Sequence, residues 1–170
     1  MPNIKNIVDA HNKKLLKKPN ETTQQEKTCN CRKKEECPLG NKCLTRSVIY
    51  QATVETSGGK QTYIGMTDTE FKTRFRNHKQ SFEKIKYENQ TELSKYVWSL
   101  KKNNTSFHIS WEIVDRATSY SPITKRCNLC ILEKYYILRH KERASLNKRS
   151  ELATNCKHAL RFTLQKLNCT

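Results

Sequence analysis

The sequence predicts an α+β fold in which helices flank a small three-stranded antiparallel sheet, with a cysteine-rich knuckle in front of it. Two runs rich in β-branched and aromatic residues, 48–55 and 61–65, enclose a turn that contains Gly58 and Gly59. Glycine adopts positive φ without steric cost, so this pattern is typical of a β-hairpin. Apolar and polar residues alternate over 107–114, which indicates a third strand with its polar side chains toward solvent.

Three helices are expected around this sheet. Thr67 followed by Glu70 has the spacing of a capping box, which predicts that the first helix starts near Asp68. The second helix covers 92–102, and the third begins near Asn128. Each helix carries apolar residues at helical spacing that are expected to pack inward: Phe71, Phe75 and Phe82; Leu93, Tyr96, Val97 and Leu100; Leu129, Leu132 and Tyr136.

The charge balance restricts the classes of partner. The chain of 170 residues carries 33 Lys and Arg against 16 Asp and Glu, a net charge of +17. Such a field attracts polyanions, which favours nucleic acid over an acidic membrane surface. The sequence contains no run of about 18 apolar residues, which a transmembrane helix would need. Its N-terminus lacks the apolar core of a secretory signal. We therefore expect a nuclear or intracellular protein that is neither secreted nor bound in a membrane.

Four cysteines lie close together near the N-terminus: Cys29, Cys31, Cys37 and Cys43. In a reducing compartment, clustered cysteines bind metal more often than they form disulfides. Zinc takes four thiolate or imidazole ligands in a tetrahedron, and Pro38 and Gly40 favour the tight turn that such a site needs. The cluster therefore predicts a structural zinc site. A pair of disulfides, or unpaired surface thiols, is the alternative.

A second candidate zinc site combines a C-x-x-C pair with a later C-x-H pair: Cys127, Cys130, Cys156 and His158. His140 is the alternative to His158 as the fourth ligand. A redox role is the other interpretation of the C-x-x-C pair, although no thioredoxin-like βαβ pattern surrounds it. Cys169 has no assigned role.

Polar side chains on predicted inward faces are the candidate functional residues. Arg74 and His78 share a face with the apolar stripe of the first helix, so a solvated basic surface explains them poorly. Glu133 lies on the apolar stripe of the third helix. A carboxylate there is costly unless it is paired or binds a cation. Glu133 is therefore either half of a buried salt bridge or a ligand for a divalent metal.

The two strands of the hairpin each carry a tyrosine. Tyr50 and Tyr63 lie on paired strands, where their side chains can touch. Val48-Ile49-Tyr50, followed by Tyr63-Ile64-Gly65, resembles the two signature tripeptides of the GIY-YIG nucleases, with Val48 in place of the first glycine. At Gly65 a side chain would obstruct the close approach of a ligand or another backbone.

A more specific likeness is to the endonuclease domains of Penelope-like retroelements. It is carried by Cys29-Asn30-Cys31, by Cys37-Pro38-Leu39, and by Leu-Asn-Lys-Arg-Ser-Glu-Leu over 146–152 with the C-x-H pair downstream. The likeness spans about residues 29–164.

This resemblance, together with the composition, divides the chain into three parts. Residues 1–27 are polar and lysine-rich, which predicts a basic arm or linker. Residues 28–46 form the zinc knuckle. Residues 47–165 form a GIY-YIG-like domain that carries the second zinc site.

The resemblance implies a DNA endonuclease that uses one Mg²⁺ or Mn²⁺ ion on Glu133, with Tyr50 as general base. The family's catalytic residues match six positions here: Tyr50, Tyr63, Arg74, His78, Glu133 and Asn147. The implied product is a nick with 5′-phosphate and 3′-hydroxyl ends, which supplies the primer for reverse transcription. The implied partners are DNA, an adjacent reverse transcriptase domain and element RNA. The alternative is a zinc-containing nucleic-acid-binding module without catalysis.

Overall fold

The computed structural model describes residues 27–118, 120–121, 123 and 126–148. Most of the predicted basic arm lies outside these residues. So do Cys156, His158 and Cys169, which leaves Cys127 and Cys130 as the described half of the second candidate zinc site.

The sheet has the predicted three antiparallel strands. They are β1 (Val48–Thr56), β2 (Gly59–Thr67) and β3 (Phe107–Arg116), in the order β2-β1-β3. Thr56 pairs with Gly59, so only two residues form the hairpin turn, and the φ of Gly59 is 132°. The hairpin prediction is confirmed. Two short strands, β4 (Tyr120–Ser121) and β5 (Arg126–Cys127), pair separately.

Helices cover both faces of the sheet, because the central strand β1 places Val48, Tyr50, Ala52 and Val54 in one apolar cluster and Ile49 in a second cluster on the other face. The helices are α1 (Phe71–Glu83), α2 (Glu92–Lys102) and α3 (Asn128–Arg139), with single 3₁₀ turns at Ile85–Tyr87 and Lys141–Arg143. One face of β1 packs with the apolar residues of α1 and α2, and the other face packs with those of α3. The inward stripes predicted for the three helices are thus confirmed in outline.

The predicted alternation of β3 is also observed. His108 and Glu112 are exposed, while Ile109 and Trp111 are partly buried against the core. Within the described residues, no helix has the length and apolar character needed to cross a bilayer.

The start of α1 differs from the prediction. The helix begins at Phe71, its N-cap is Glu70, and no side chain caps it. Thr67 cannot serve as the cap because it is the last residue of β2 and its hydroxyl lies 3.1 Å from that of Thr69. The backbone N–H groups of Phe71 and Lys72 are satisfied by carbonyls of the cysteine knuckle instead, which a local sequence pattern does not reveal.

Residues 145–147 close the free edge of β2. The hydroxyl of Ser145 accepts a hydrogen bond from the backbone N–H of Thr62 at 2.8 Å, and Leu146 N donates to Thr62 O at 2.9 Å. Asn147 bonds both backbone groups of Ile64, each at 2.8 Å. Unpaired strand edges are open to other chains, so these contacts protect the edge and fix the strand that carries Tyr63.

Gly65 lies opposite Tyr50 in the strand pairing, and the tyrosine ring lies directly over it. A Cβ added to Gly65 would stand 2.6 Å from Cζ of Tyr50 and closer still to the hydroxyl. Position 65 therefore requires glycine, because the side chain of Tyr50 from the paired strand β1 occupies the space that a Cβ would need.

We predict that Gly65→Ala destabilises the protein by about 3 kcal/mol, because the ring of Tyr50 must leave its buried position. Gly58→Ala is the matched control, since its added Cβ would meet only Thr56 Oγ1 at 3.8 Å. Urea unfolding of both variants measures the difference. Equal stabilities for the two variants would contradict the assigned packing.

Candidate active site

A buried hydroxyl connects the central strand to α1. Tyr50 is fully buried, and its Oη lies 2.8 Å from Nε2 of His78 and 2.9 Å from Nε of Arg74. Arg74 donates to the phenol oxygen. His78 is one turn further along α1 and also buried, so the two α1 side chains hold the phenol from both sides.

Burial decides the protonation states in this cluster. Burial, followed by the charge of Arg74, lowers the pKa of His78 to about 3, so the imidazole is neutral at physiological pH. In the tautomer with the hydrogen on Nδ1, Nε2 accepts the hydroxyl hydrogen of Tyr50. Burial also raises the pKa of Tyr50 to about 12, although Arg74 opposes this shift. At neutral pH the cluster contains a protonated phenol, a neutral imidazole and a guanidinium.

A cleft of about 270 Å³ opens beside this cluster. It lies between the hairpin, α1 and α3, and three predicted site residues from these three elements line it: Tyr63, Arg74 and Glu133. Residues separated by up to 70 positions in sequence thus share one surface. Tyr50 does not line the cleft and lies behind Arg74.

The cleft groups also interact electrostatically. Burial raises the pKa of Tyr63 above its usual range, and the neighbouring Tyr50 and Glu133 raise it further. Burial lowers the pKa of Arg74, but Tyr50, Tyr63 and Glu133 more than compensate, so the net shift is upward. Arg74 therefore remains a cation next to a carboxylate and two phenols. This is a suitable position for a group that contacts a phosphate.

Asn147 does not line the cleft and contacts the strand that carries Tyr63. Its amide binds the backbone of Ile64, which stands between Tyr63 and Gly65 in β2. Among the six predicted catalytic residues, Asn147 is the one whose described contacts are all with backbone atoms.

Sequence reasoning missed other cleft residues. Asp68 and Thr69 line the cleft, although Asp68 was expected only to mark a helix start. Asn77 also lines it, three residues after Arg74 on α1. This i, i+3 spacing was the available signal, because residues so spaced share a helix face. The oxygen atoms of Glu133, Asp68 and Thr69 are the ligand type that Mg²⁺ and Mn²⁺ prefer.

The four N-terminal cysteines come together as the spacing predicts. Their Sγ atoms all lie within 4.8 Å of one another, and the three closest pairs are 3.5–3.6 Å apart. The four thiols are free, so the disulfide alternative is wrong for this structure. A tetrahedral zinc ion with bonds of about 2.3 Å places its sulfurs about 3.8 Å apart. The cluster is thus able to hold a metal ion and is compatible with structural zinc.

The environment of the thiols also fits a cation. Burial opposes ionisation of Cys37, but the backbone N–H groups of Leu39 and Asn41 and the neighbouring cysteines lower its pKa to about 7. Burial, with the adjacent thiols, raises the pKa of Cys43 to about 12. Four thiolates cannot coexist at such distances without a cation to offset their repulsion.

This cysteine knuckle caps α1. The carbonyls of Thr45 and Cys43 accept hydrogen bonds from the N–H groups of Phe71 and Lys72 at 2.9 and 2.8 Å. Nζ of Lys72 also binds the backbone carbonyl of Asn30 at 3.3 Å. Cys43 belongs to the cluster that is able to hold a metal ion, and its carbonyl caps the helix that carries Arg74, so the cluster and the start of α1 are directly connected.

Cys127 and Cys130 lie far from this knuckle in sequence and are buried at the start of α3. His140 follows the last residue of this helix. Ten residues of helix place it about 15 Å from Cys130 along the axis, so His140 does not share a site with the pair. Cys156 and His158 lie outside the described residues.

No family model, no curated protein and no solved structure matches this chain. Its function is therefore inferred from the residues and their geometry.

We predict that loss of metal from the knuckle releases the N-terminus of α1. In Cys43→Ser, or after chelation, the amides of Phe71 and Lys72 should exchange with solvent about tenfold faster, because each loses a hydrogen bond worth about 1.4 kcal/mol. Hydrogen exchange measured by NMR tests this. The Ser94 amide at the start of α2 is the internal control, since Thr91 caps that helix by its own side chain. Unchanged exchange at Phe71 and Lys72 would contradict the capping role.

We predict that His78 makes the protein acid-sensitive. Its pKa is about 3 in the folded protein and about 6.5 in the unfolded chain. Below pH 6.5 the unfolded chain binds a proton that the folded protein does not, so stability falls as the pH drops toward 3. Between pH 7.5 and 5.0 the free energy of unfolding should fall by about 2 kcal/mol through this residue.

Urea unfolding at the two pH values isolates this contribution by comparison with His78→Gln, in which it should disappear. His108→Gln, on the exposed face of β3, should retain the wild-type pH dependence. If His78→Gln loses as much stability as the wild type on acidification, His78 is not the residue responsible.

Proposed function

We propose that this chain is a metal-dependent DNA endonuclease of the GIY-YIG type, related to the endonuclease domains of Penelope-like retroelements. The observation that carries the proposal is the convergence of Tyr63, Arg74 and Glu133 on one cleft, with Tyr50 hydrogen-bonded to Arg74 behind it. A module that only bound nucleic acid would have no need for a carboxylate and two buried phenols around a guanidinium.

The cleft suits a divalent cation better than it suits a buried salt bridge alone, because it offers oxygen donors and is open to solvent. Mg²⁺ or Mn²⁺ held by Glu133 would polarise the scissile phosphate and stabilise the leaving 3′ oxygen. Arg74 would contact the phosphate by its guanidinium, whose fork matches phosphate oxygens.

The proton of the attacking water needs an acceptor. Both phenols are protonated at neutral pH, because burial raises their pKa values. Tyr50 acts as a base only if its own hydroxyl hydrogen passes to Nε2 of His78, 2.8 Å away, while Oη takes the proton that leaves the water. This transfer requires that the low pKa of His78 rise when the negatively charged DNA binds. The burial of Tyr50 requires that DNA binding open a path to Oη. Tyr63, which lines the cleft, would orient the water.

The products would be a 5′-phosphate and a 3′-hydroxyl, and the latter is able to prime reverse transcription. This assignment makes chromosomal DNA the substrate and implies action in the nucleus beside a reverse transcriptase domain and element RNA. The second candidate function is a zinc-containing nucleic-acid-binding module. The cysteine knuckle and the net charge of +17 support this second function as well as they support the nuclease.

We predict that Glu133→Gln lowers the rate of plasmid nicking by about 100- to 1,000-fold and leaves DNA affinity nearly unchanged, because it removes the metal ligand without a change of shape. Conversion of supercoiled plasmid to open circles in Mg²⁺ or Mn²⁺ measures the rate. The control reaction contains neither Mg²⁺ nor Mn²⁺. It also contains no chelator, because a chelator would remove metal from the cysteine knuckle as well. Glu112→Gln, on the exposed face of β3, should nick at the wild-type rate.

In the same assay Tyr50→Phe, which keeps the ring over Gly65 and removes the hydroxyl, should lose nicking in the same way. Wild-type rates for Glu133→Gln would refute the metal assignment. If the wild-type protein produces no open circles in any divalent metal, the binding module becomes the better assignment.

A further inference from the structure

A second polar cavity, of about 520 Å³, lies on the other side of the loop that borders the cleft. Three cationic side chains line it: Lys27, Arg46 and Arg116. We call it the basic pocket. Thr67 and Asp68 line the cleft, and Glu70 of the same loop lines the basic pocket. The linings of the two cavities are therefore adjacent along this loop.

Each of the three cations is carried by an anchored segment. Thr28, which follows Lys27, accepts a hydrogen bond from Leu44 N at 2.9 Å. Arg46 comes just before β1, and Arg116 ends β3, where it pairs with Val48. A second contact joins the segments that carry Arg46 and Arg116, since Ala117 N donates a hydrogen bond to Ser47 O at 3.1 Å.

Among the residues that the structure describes, no carboxylate forms a salt bridge with a cation of the basic pocket, whether Lys27, Arg46 or Arg116. Glu70 is the single carboxylate among the described lining residues, so the pocket keeps a net charge of about +2. Three cations on separate, anchored segments that line one cavity without a salt-bridge partner indicate an anionic ligand.

We propose that the basic pocket binds a phosphate of the DNA backbone near the scissile one, and so sets the path of the cut strand across the loop. This inference rests on the proposed function, because it takes duplex DNA as the substrate. The Cα atoms of Thr67 and Glu70 are at most about 11 Å apart. The bound phosphate therefore lies within a few nucleotides of the scissile one. Arginine suits this role because its fork binds two phosphate oxygens at once.

The test is the salt dependence of DNA binding for Arg46→Gln/Arg116→Gln. The slope of log K against log [salt] falls by about 0.9 for each DNA phosphate that the protein no longer neutralises, so the double variant, which loses the one phosphate of the basic pocket, should show a slope smaller by about 0.9. At 0.1 M salt this corresponds to about eightfold weaker binding. Fluorescence anisotropy of a labelled duplex of about 20 base pairs, in buffer without Mg²⁺ or Mn²⁺, gives both quantities independently of cleavage.

Lys84→Gln/Lys86→Gln is the charge-matched control. These lysines lie just after the C-terminal end of α1, whose 13 residues place them about 20 Å from the basic pocket, and their replacement should leave the slope within about 0.3 of the wild type. An unchanged slope for the arginine pair, or an equal change for both pairs, overturns the basic pocket as a phosphate site. A reduced slope for the arginine pair in a protein that never nicks supports the pocket and rejects the nuclease.

Discussion

The hydroxyl of Tyr50 is the group on which the rest of the candidate site depends. It is buried at the centre of the sheet and binds both His78 and Arg74 of α1. A buried hydroxyl without partners costs about 1–3 kcal/mol, so the sheet and the helix are held in one relative position. That position keeps Arg74 at the wall of the cleft. Gly65 belongs to the same arrangement, since the ring lies over its backbone.

The cysteine knuckle holds the same helix at its N-terminal end. Its two carbonyls complete the hydrogen bonding of the first turn of α1, where the helix has no side-chain cap of its own. A metal ion bound in the knuckle would therefore affect more than the stability of a small loop, because it would order the start of the helix that bears Arg74 and His78. The cysteine cluster and the candidate catalytic groups are connected through about two turns of helix.

Predictions from sequence were accurate for elements that follow a local periodic pattern of apolar residues. They failed where a residue's contact partner is distant in the chain. The hairpin, the third strand and the inward helix faces follow from local patterns, and the structure has them. The capping box at Thr67 failed because the strand continues through that residue and the knuckle caps the helix instead. His140 was the alternative to His158 as a ligand beside Cys130 because it is nearer in sequence, yet most of α3 separates the two residues.

The sequence alone determined the types of element, the cysteine cluster and the set of unusual polar residues, because spacing and composition are local quantities. Tertiary structure decided which of those residues share a cleft, that Tyr50 lies behind Arg74 while Tyr63 faces it, and that Asp68 and Asn77 join them. It also decided the protonation of His78, since burial sets that pKa. Contacts between residues far apart in the chain depend on how helices pack on the sheet, and no local pattern encodes them.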